Sequence, residues 1–223
     1  MSIKDKYRVL SIKPEIVKEW FLKKHYAKAI PSISFCFGLY ECSYLKAVCS
    51  WGNGAVNLAG SIVEKHKDLK HYELNRLVAD NLERNALSFF VAECMRMMPK
   101  PTILVSYADG NQNHHGYIYQ ATNWHYVGLT TPEKKYYNTR TGKRLHSHTV
   151  VDIYGSRSAE NLPDYIKIVD EEKGKYRYVF FNGNKRFKAD CKKNLRYEIQ
   201  DYPKGQNKNY DAGYNPARQT ILF

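Results

Sequence analysis

Four side chains of the 223-residue sequence have the types that proton-transfer chemistry needs, at positions where chains often build pockets. His25 and Tyr26 follow an amphipathic stretch, Asp109 closes an apolar run, and Tyr119 sits shortly after it. An imidazole, two phenols and a carboxylate in one pocket can orient an amine and move its proton. The same four are hard oxygen donors plus one imidazole, a set suited to ferric iron, although no compact motif such as H-x-x-E-H organises them. Each also has a plainer reading. Asp109 before Gly110 is ordinary turn chemistry, Tyr119 can be a core aromatic, and a His ending a helix complements its dipole. His114 and His115 read as solvated loop residues that otherwise border the pocket, and Trp51 reads as core.

Positioning them requires a particular run of elements. Residues 14–25 predict a helix, with Pro14 at the first position, Glu15 in the first turn, and Ile16, Val17, Trp20 and Phe21 on one face. Two strands, Ser34–Glu41 and Tyr44–Ser50, form a hairpin, and residues 52–70 read as an irregular connection. Then come a strand at Tyr72–Ala79, a polar loop at Asp80–Asn85 and a helix from about Leu87 to Met98, stopped by Pro99 and Pro101. Alternation along the strand sets Glu73, Asn75 and Leu77 on one face and Leu74, Arg76 and Val78 on the other. Thr102–Tyr107 is a strand covered on both faces, followed by a short helix at 116–122 and a strand at Trp124–Leu129. That order implies a partly parallel sheet with crossover helices. Beyond Thr130 the pattern is of hairpins: Tyr136–Asn138 with Lys143–His146, and 175–182 with 185–188 about Gly183.

Composition bounds the class. The chain is 43% apolar and 14% aromatic, enough for a core, and no apolar run approaches the ~20 residues of a membrane span. The start carries no signal-like segment, so a cytoplasmic protein is expected. Five cysteines without a C-x-x-C pair argue against a disulfide framework or a structural zinc site. Lys and Arg exceed Asp and Glu by 13, and the last 93 residues hold 19 basic against 11 acidic side chains. A pI of 9.4 with Tyr among the basic residues fits a nucleic-acid partner; a merely soluble basic surface is the alternative.

The run YIYQATNWHYVG at 117–128 resembles the end of the GNAT acyltransferase fold, a helix bearing a Tyr that leads into a strand. The strand–loop–helix at 72–98 then sits where that superfamily holds the pyrophosphate of acyl-CoA on a helix N-terminus. Its loop reads Glu83-Arg84-Asn85-Ala86-Leu87-Ser88, without the superfamily's glycines. Over most of residues 20–150 the resemblance narrows. Tyr-Glu-Leu-Asn-Arg-Leu at 72–77, Ser-Tyr-Ala-Asp-Gly at 106–110, the Gly-Tyr-Ile-Tyr-Gln-Ala-Thr-Asn-Trp that follows, and His-Tyr at 25–26 together resemble the phage Mom family.

That resemblance implies an α+β, GNAT-like mixed sheet flanked by helices, with a basic β-rich C-terminal extension. Residues 1–154 are expected to form the catalytic domain and residues 155–223 a basic, Tyr-rich extension packed on the same domain. It implies an enzyme of the phage-infected host cytoplasm that converts adenine in duplex DNA to an N6-carbamoylmethyl form and thereby shields it from restriction. By motif, His25, Tyr26, Asp109 and Tyr119 carry the chemistry, Tyr119 as a general acid if a thioester is the donor, and the same four are the iron ligands if iron is used. Arg76, Arg84, Asn85 and Ser88 are expected at the donor site, with acyl-CoA such as acetyl-CoA as the candidate donor. A base inside a duplex must be flipped out, which costs a few kcal/mol. Lys134, Lys135, Arg140, Lys143, Arg144, Lys185 and Arg186, with Lys188, Lys192 and Lys193, are the candidate phosphate contacts that offset it. Two other functions share this outline: an acyl-CoA-dependent N-acetyltransferase of a protein, polyamine or RNA amine, and a non-catalytic DNA-binding protein on an acyltransferase scaffold.

Overall fold

The structure, a computed structural model, describes residues 2–54, 58–132, 134–145, 147–170 and 174–205. In chain order the first half comprises α1 (Ile3–Lys6), β1 (Tyr7–Ser11), α2 (Pro14–Lys23), β2 (Phe35–Glu41), β3 (Tyr44–Asn53), α3 (Leu58–Ile62), β4 (His71–Ala79), α4 (Ala86–Met97) and β5 (Thr102–Asp109). The second half comprises α5 (Tyr117–Ala121), β6 (His125–Leu129), β7 (Lys134–Asn138), β8 (Lys143–Leu145), α6 (Ser147–Tyr154), β9 (Ile166–Asp170), β10 (Lys175–Asn182) and α7 (Lys185–Lys193).

Seven strands make one mixed sheet in the order β1-β2-β3-β4-β5-β10-β6, and β8-β7-β9 make a small second sheet. This is the expected α+β architecture of a large mixed sheet flanked by helices. Its parallel neighbours are β4 and β5; the other pairs are antiparallel. β5 and β6 are not adjacent, because β10 lies between them.

Each face of the large sheet is covered, as a sheet with apolar residues on both sides requires. On one face α4 contributes Phe90, Val91, Cys94 and Met95, packed with Trp51, Leu74, Leu104, Tyr119, Trp124 and Tyr178. The other face carries two separate clusters. Val17, Trp20 and Phe21 of α2 cover Cys36, Tyr40, Val48 and Val78 of the first strands. Ile62, Val63 and Cys191 cover Ile103, Val105, Val127, Val179 and Phe181. Trp20, Trp51 and Trp124 are wholly buried, each contributing about 3 kcal/mol or more of apolar burial.

The structure corrects several local expectations. Residues 185–188 are the first turn of α7 rather than a strand, because the Asn184 side chain accepts the Phe187 N–H at 2.9 Å and caps a helix. The connection at 52–70 contains α3 and a 3-10 turn, Glu64–His66. Simple alternation fails along β4. Ser50 pairs with Arg76 but Trp51 with Leu74, so a bulge at Asn75 turns both Leu74 and Leu77 toward the α4 face and leaves Val78 under α2. Of the hairpin strand read at Lys143–His146, the last residue lies outside the described residues, as does the tail from 206 onward. No helix among the described residues is long and apolar enough to cross a membrane.

Candidate active site at the parting of two parallel strands

β4 and β5 pair only at His71–Glu73 with Ile103–Val105. Past that point β4 stays with β3, reaching Ala79 opposite Ala47, while β5 stays with β10, reaching Asp109 opposite Lys175. The sheet therefore splits toward the C-terminal ends of its two parallel strands, where open α/β sheets collect ligands.

Ser106 sits at the apex of the split. Its hydroxyl is wholly buried and lies 2.7 Å from both the Leu74 carbonyl on β4 and the Tyr119 hydroxyl. A hydroxyl has one proton and a carbonyl only accepts, so Ser106 donates to Leu74 and Tyr119 donates to Ser106. Burial pushes the Tyr119 phenol well above the ordinary tyrosine range, and Tyr26 and Glu73 add to that from across the split. Tyr119 therefore keeps its proton at any physiological pH.

The short helix α5 that carries Tyr119 is pinned on several sides. It starts at Gly116 in a left-handed conformation (φ +79°), where a Cβ would stand 2.3 Å from the Tyr178 ring. The Tyr178 hydroxyl donates to the His115 carbonyl, and the Gln120 amide bonds His115, Tyr178 and Pro203. Residues 200–205 strap over the same region, with the Tyr202 hydroxyl on the Trp124 carbonyl and the Tyr117 hydroxyl on the Gly205 carbonyl.

The opposite side of the split is lined by the residues after α2. The His25 ring stacks on Tyr26, with centroids 4.4 Å apart, and Tyr26 meets the edge of His114 at 5.8 Å. The Ala27 N–H donates to His25 Nδ1 at 3.1 Å. That nitrogen is therefore the acceptor and Nε2 carries the proton. Burial, then the charges of Arg76 and His114, pull the His25 pKa down to about 3. His25 is thus a neutral hydrogen-bond donor through Nε2, not a base. Arg76 completes the group. Its Nη1 donates to the Asn75 carbonyl at 2.6 Å, while its buried Nε meets no acceptor among the described residues. A buried donor without a protein partner is costly and marks a place for a ligand acceptor.

Asp109 ends β5, half-buried, with its carbonyl accepting the His114 N–H at 3.1 Å. Alternation gives Ser106 and Ala108 to the Tyr119 side, and Tyr107 and Asp109 to the side of His25, Tyr26 and Arg76. The structure thus gathers His25, Tyr26, Arg76 and His114, sets Asp109 on their side of the sheet, and brings Tyr119 to the split from the other. Sequence reading missed Ser106; His114, read as a loop residue that is either solvated or borders the pocket, lies in the loop, half-buried against Tyr26. The signal for Ser106 was its place in Ser-Tyr-Ala-Asp-Gly, one full pleat before Ala108. Trp51, read as core, is buried against Trp124 with ring centroids 6.2 Å apart.

Iron finds little support in this arrangement. Nδ1 of His25 is used by a backbone N–H, its Nε2 bears the proton, the Tyr119 hydroxyl is committed to Ser106, and among the described residues no group of three or more His, Cys, Asp or Glu could hold a metal. The expected ferric ligand set of His25, Tyr26, Asp109 and Tyr119 finds no support among the described residues.

The loop before α4 and the first turn of that helix carry residues expected at a donor site. Arg84 and Asn85 are exposed before α4, and Ser88 donates to the Asn85 carbonyl at 2.9 Å. The left-handed turn that glycine would supply is made by Asn85 at φ +69°, a residue that tolerates it. Beside the turn, Glu83 is tied at 3.0 Å to Lys6, which also binds Glu41.

The expected phosphate contacts fall in two places. Lys134, Lys135, Lys143 and Arg144 lie on the small sheet, and Arg140 in its turn stacks on Tyr165 at 4.0 Å. Lys185 and Arg186 open α7, exposed.

Comparison with known proteins matches residues 6–204 to the Mom protein family. The methylcarbamoylase Mom of Escherichia phage Mu is 26% identical over 212 residues, covering 89% of this chain and 86% of that protein. Among solved structures, a Drosophila melanogaster polyamine N-acetyltransferase superposes with TM-score 0.43 at 11% identity, over 78% of this chain and 99% of that one. An agmatine N-acetyltransferase variant does so with TM-score 0.45 at 10% identity and the same coverage. With the match running from α1 through the strap at 200–205, the chain belongs to the Mom protein family.

Proposed function

We propose that this chain modifies adenine in duplex DNA, converting the exocyclic amine to an N6-carbamoylmethyl-type derivative that protects phage DNA from restriction. The observation that carries the reading is the family match over residues 6–204, which encloses every side chain of the split.

The chain's residues suit a flipped purine. The stacked His25–Tyr26 pair and the His114 edge offer aromatic surface to the base. His25 Nε2–H donates to a ring nitrogen or a carbonyl without taking up a proton, since its pKa lies near 3. Asp109, on the same side of the sheet, is the carboxylate that receives the amine proton as the nitrogen attacks. Tyr119, held protonated, is the acid for the leaving group, with Ser106 passing the hydrogen bond to β4. Arg76 presents its unused Nε to an anionic or carbonyl oxygen of the donor. An acyl-CoA would be held by Arg84, Asn85 and Ser88 with the first N–H groups of α4. Attack at its thioester carbon would give an N6-acyl product and a thiolate, so the carbamoylmethyl group, joined to N6 through its methylene, would need a donor whose methylene carbon bears the leaving group.

The test is mass spectrometry of nucleosides from plasmid DNA co-expressed with the chain. Wild type is expected to yield modified deoxyadenosine and Asp109→Ala none. Only unmodified deoxyadenosine with wild type overturns the reading. Titration with acetyl-CoA and with duplex DNA separates it from an amine acetyltransferase, which binds the first and not the second.

A further inference from the structure

The small sheet leaves the large one at a telling place. Its 134–170 segment is inserted between the end of β6 and the start of β10, and the two are joined there by Thr130 N–H to the Lys175 carbonyl at 2.9 Å and Lys175 N–H to Thr130 Oγ1 at 2.9 Å. Lys175 in turn is the register partner of Asp109. The small sheet therefore grows from the end of the large sheet where β4 and β5 part. α7 is attached at the other end of β10, next to Asn182, which pairs with Thr102 at the start of β5. The eight residues of β10 separate the two basic groups by about 23 Å along the strand.

The two faces of the small sheet differ. Tyr136, Leu145, Ile166 and Ile168 turn inward onto Val150 and Leu162. The positions between them face out: Tyr137 with its register partner Lys167, and Lys135 with its partner Val169. Tyr137 is 37% exposed, Val169 49%, and Lys167 is exposed. The three strands carry five basic side chains, Lys134, Lys135, Lys143, Arg144 and Lys167, against one acidic, Asp170. Cations around an exposed aromatic on a flat β surface suit a polyanion with planar bases.

We propose that the outward face of the β8-β7-β9 sheet, with Lys135 and Lys167 on the phosphates and Tyr137 against the sugar–base edge, holds duplex DNA beside the split, and that the basic turn opening α7 takes no part. This rests on adenine in DNA being the substrate. Neither Tyr137 nor Lys167 was among the expected contacts, while Lys185 and Arg186 were.

Fluorescence anisotropy of a labelled duplex, titrated with salt, tests it on the full chain. Each phosphate contact contributes about 0.9 to the slope of log K against log salt, so Lys135→Gln/Lys167→Gln should lower the slope by about 1.8 and weaken binding on the order of 60-fold at 0.1 M salt. Tyr137→Ala should weaken binding and leave the slope alone, and Lys185→Gln/Arg186→Gln should change neither. If the double variant melts early, Lys167→Gln alone reads the same effect at half the slope change. Wild-type binding with an unchanged slope in the sheet variants, or with the slope carried by the α7 pair, overturns the inference and leaves the DNA reading standing. A wild-type chain without salt-sensitive duplex affinity overturns both.

Discussion

Replacing Tyr119 by Phe removes one hydroxyl whose partners are fully specified. Its O–H donates to Ser106, and Ser106 donates onward to the Leu74 carbonyl, each at 2.7 Å. Loss of that single neutral bond costs about 1 kcal/mol, which lowers Tm by roughly 2–4 °C in a chain of this size. Ser106→Ala is worse. It leaves the Tyr119 O–H buried without an acceptor and deprives Leu74 of its donor, for about 2–4 kcal/mol. In that background Tyr119→Phe removes the orphaned hydroxyl, so it should be neutral or stabilising. The sign of one substitution thus reverses with the other, a coupling of roughly 1–2 kcal/mol. Urea unfolding of the wild type, both single variants and the double variant measures it. Additivity within about 0.5 kcal/mol would refute the relay. Adenine modification by the same proteins reads the chemistry separately. As a general acid, Tyr119→Phe loses about 10²–10⁴ in turnover, whereas full turnover by a folded Tyr119→Phe protein assigns the hydroxyl to structure alone.

The His25 pKa is depressed to about 3, so between that value and the ordinary 6.5 the unfolded chain binds a proton that the folded chain does not. Stability should fall as pH drops through this window, and unfolding curves of His25→Asn should lose that part of the pH dependence; an unchanged dependence contradicts the burial of a neutral His25. Lys24→Met should cost about 2–3 kcal/mol by calorimetry, because Lys24, 5% exposed, meets Asp80 at 2.6 Å and Asp80 retains some water to soften its loss. Gly116→Ala puts a Cβ into the Tyr178 ring at a left-handed backbone and should destabilise by more than about 3 kcal/mol, with modification falling alongside Tm.

Much of this site was legible because local patterns are local physics. Val17, Trp20 and Phe21 recur at helical spacing and build α2, which fixes where His25 and Tyr26 begin. The unbroken apolar run of β5 predicts a strand buried on both faces, and its end places Asp109. What was not legible depends on long-range pairing. Nothing near residue 175 says that β10 will enter between β5 and β6, nor that a bulge at Asn75 will swing Arg76 away from its simple alternation. His114 looked like loop because its role comes from Tyr26, far away in sequence. The start of α7 was misread because Gly183 favours a hairpin, while the competing signal, Asn184 capping Phe187, lies one residue on.

The interior position of β10 also bears on how the protein comes off the ribosome. Strands β1–β5 can associate as they emerge, but β6 has no place in the sheet until residues 175–182 have been synthesised and slide in beside β5. That late pairing has high contact order and is slow by nature. A nascent or truncated chain ending before Asn182 leaves two strand edges open to aggregation.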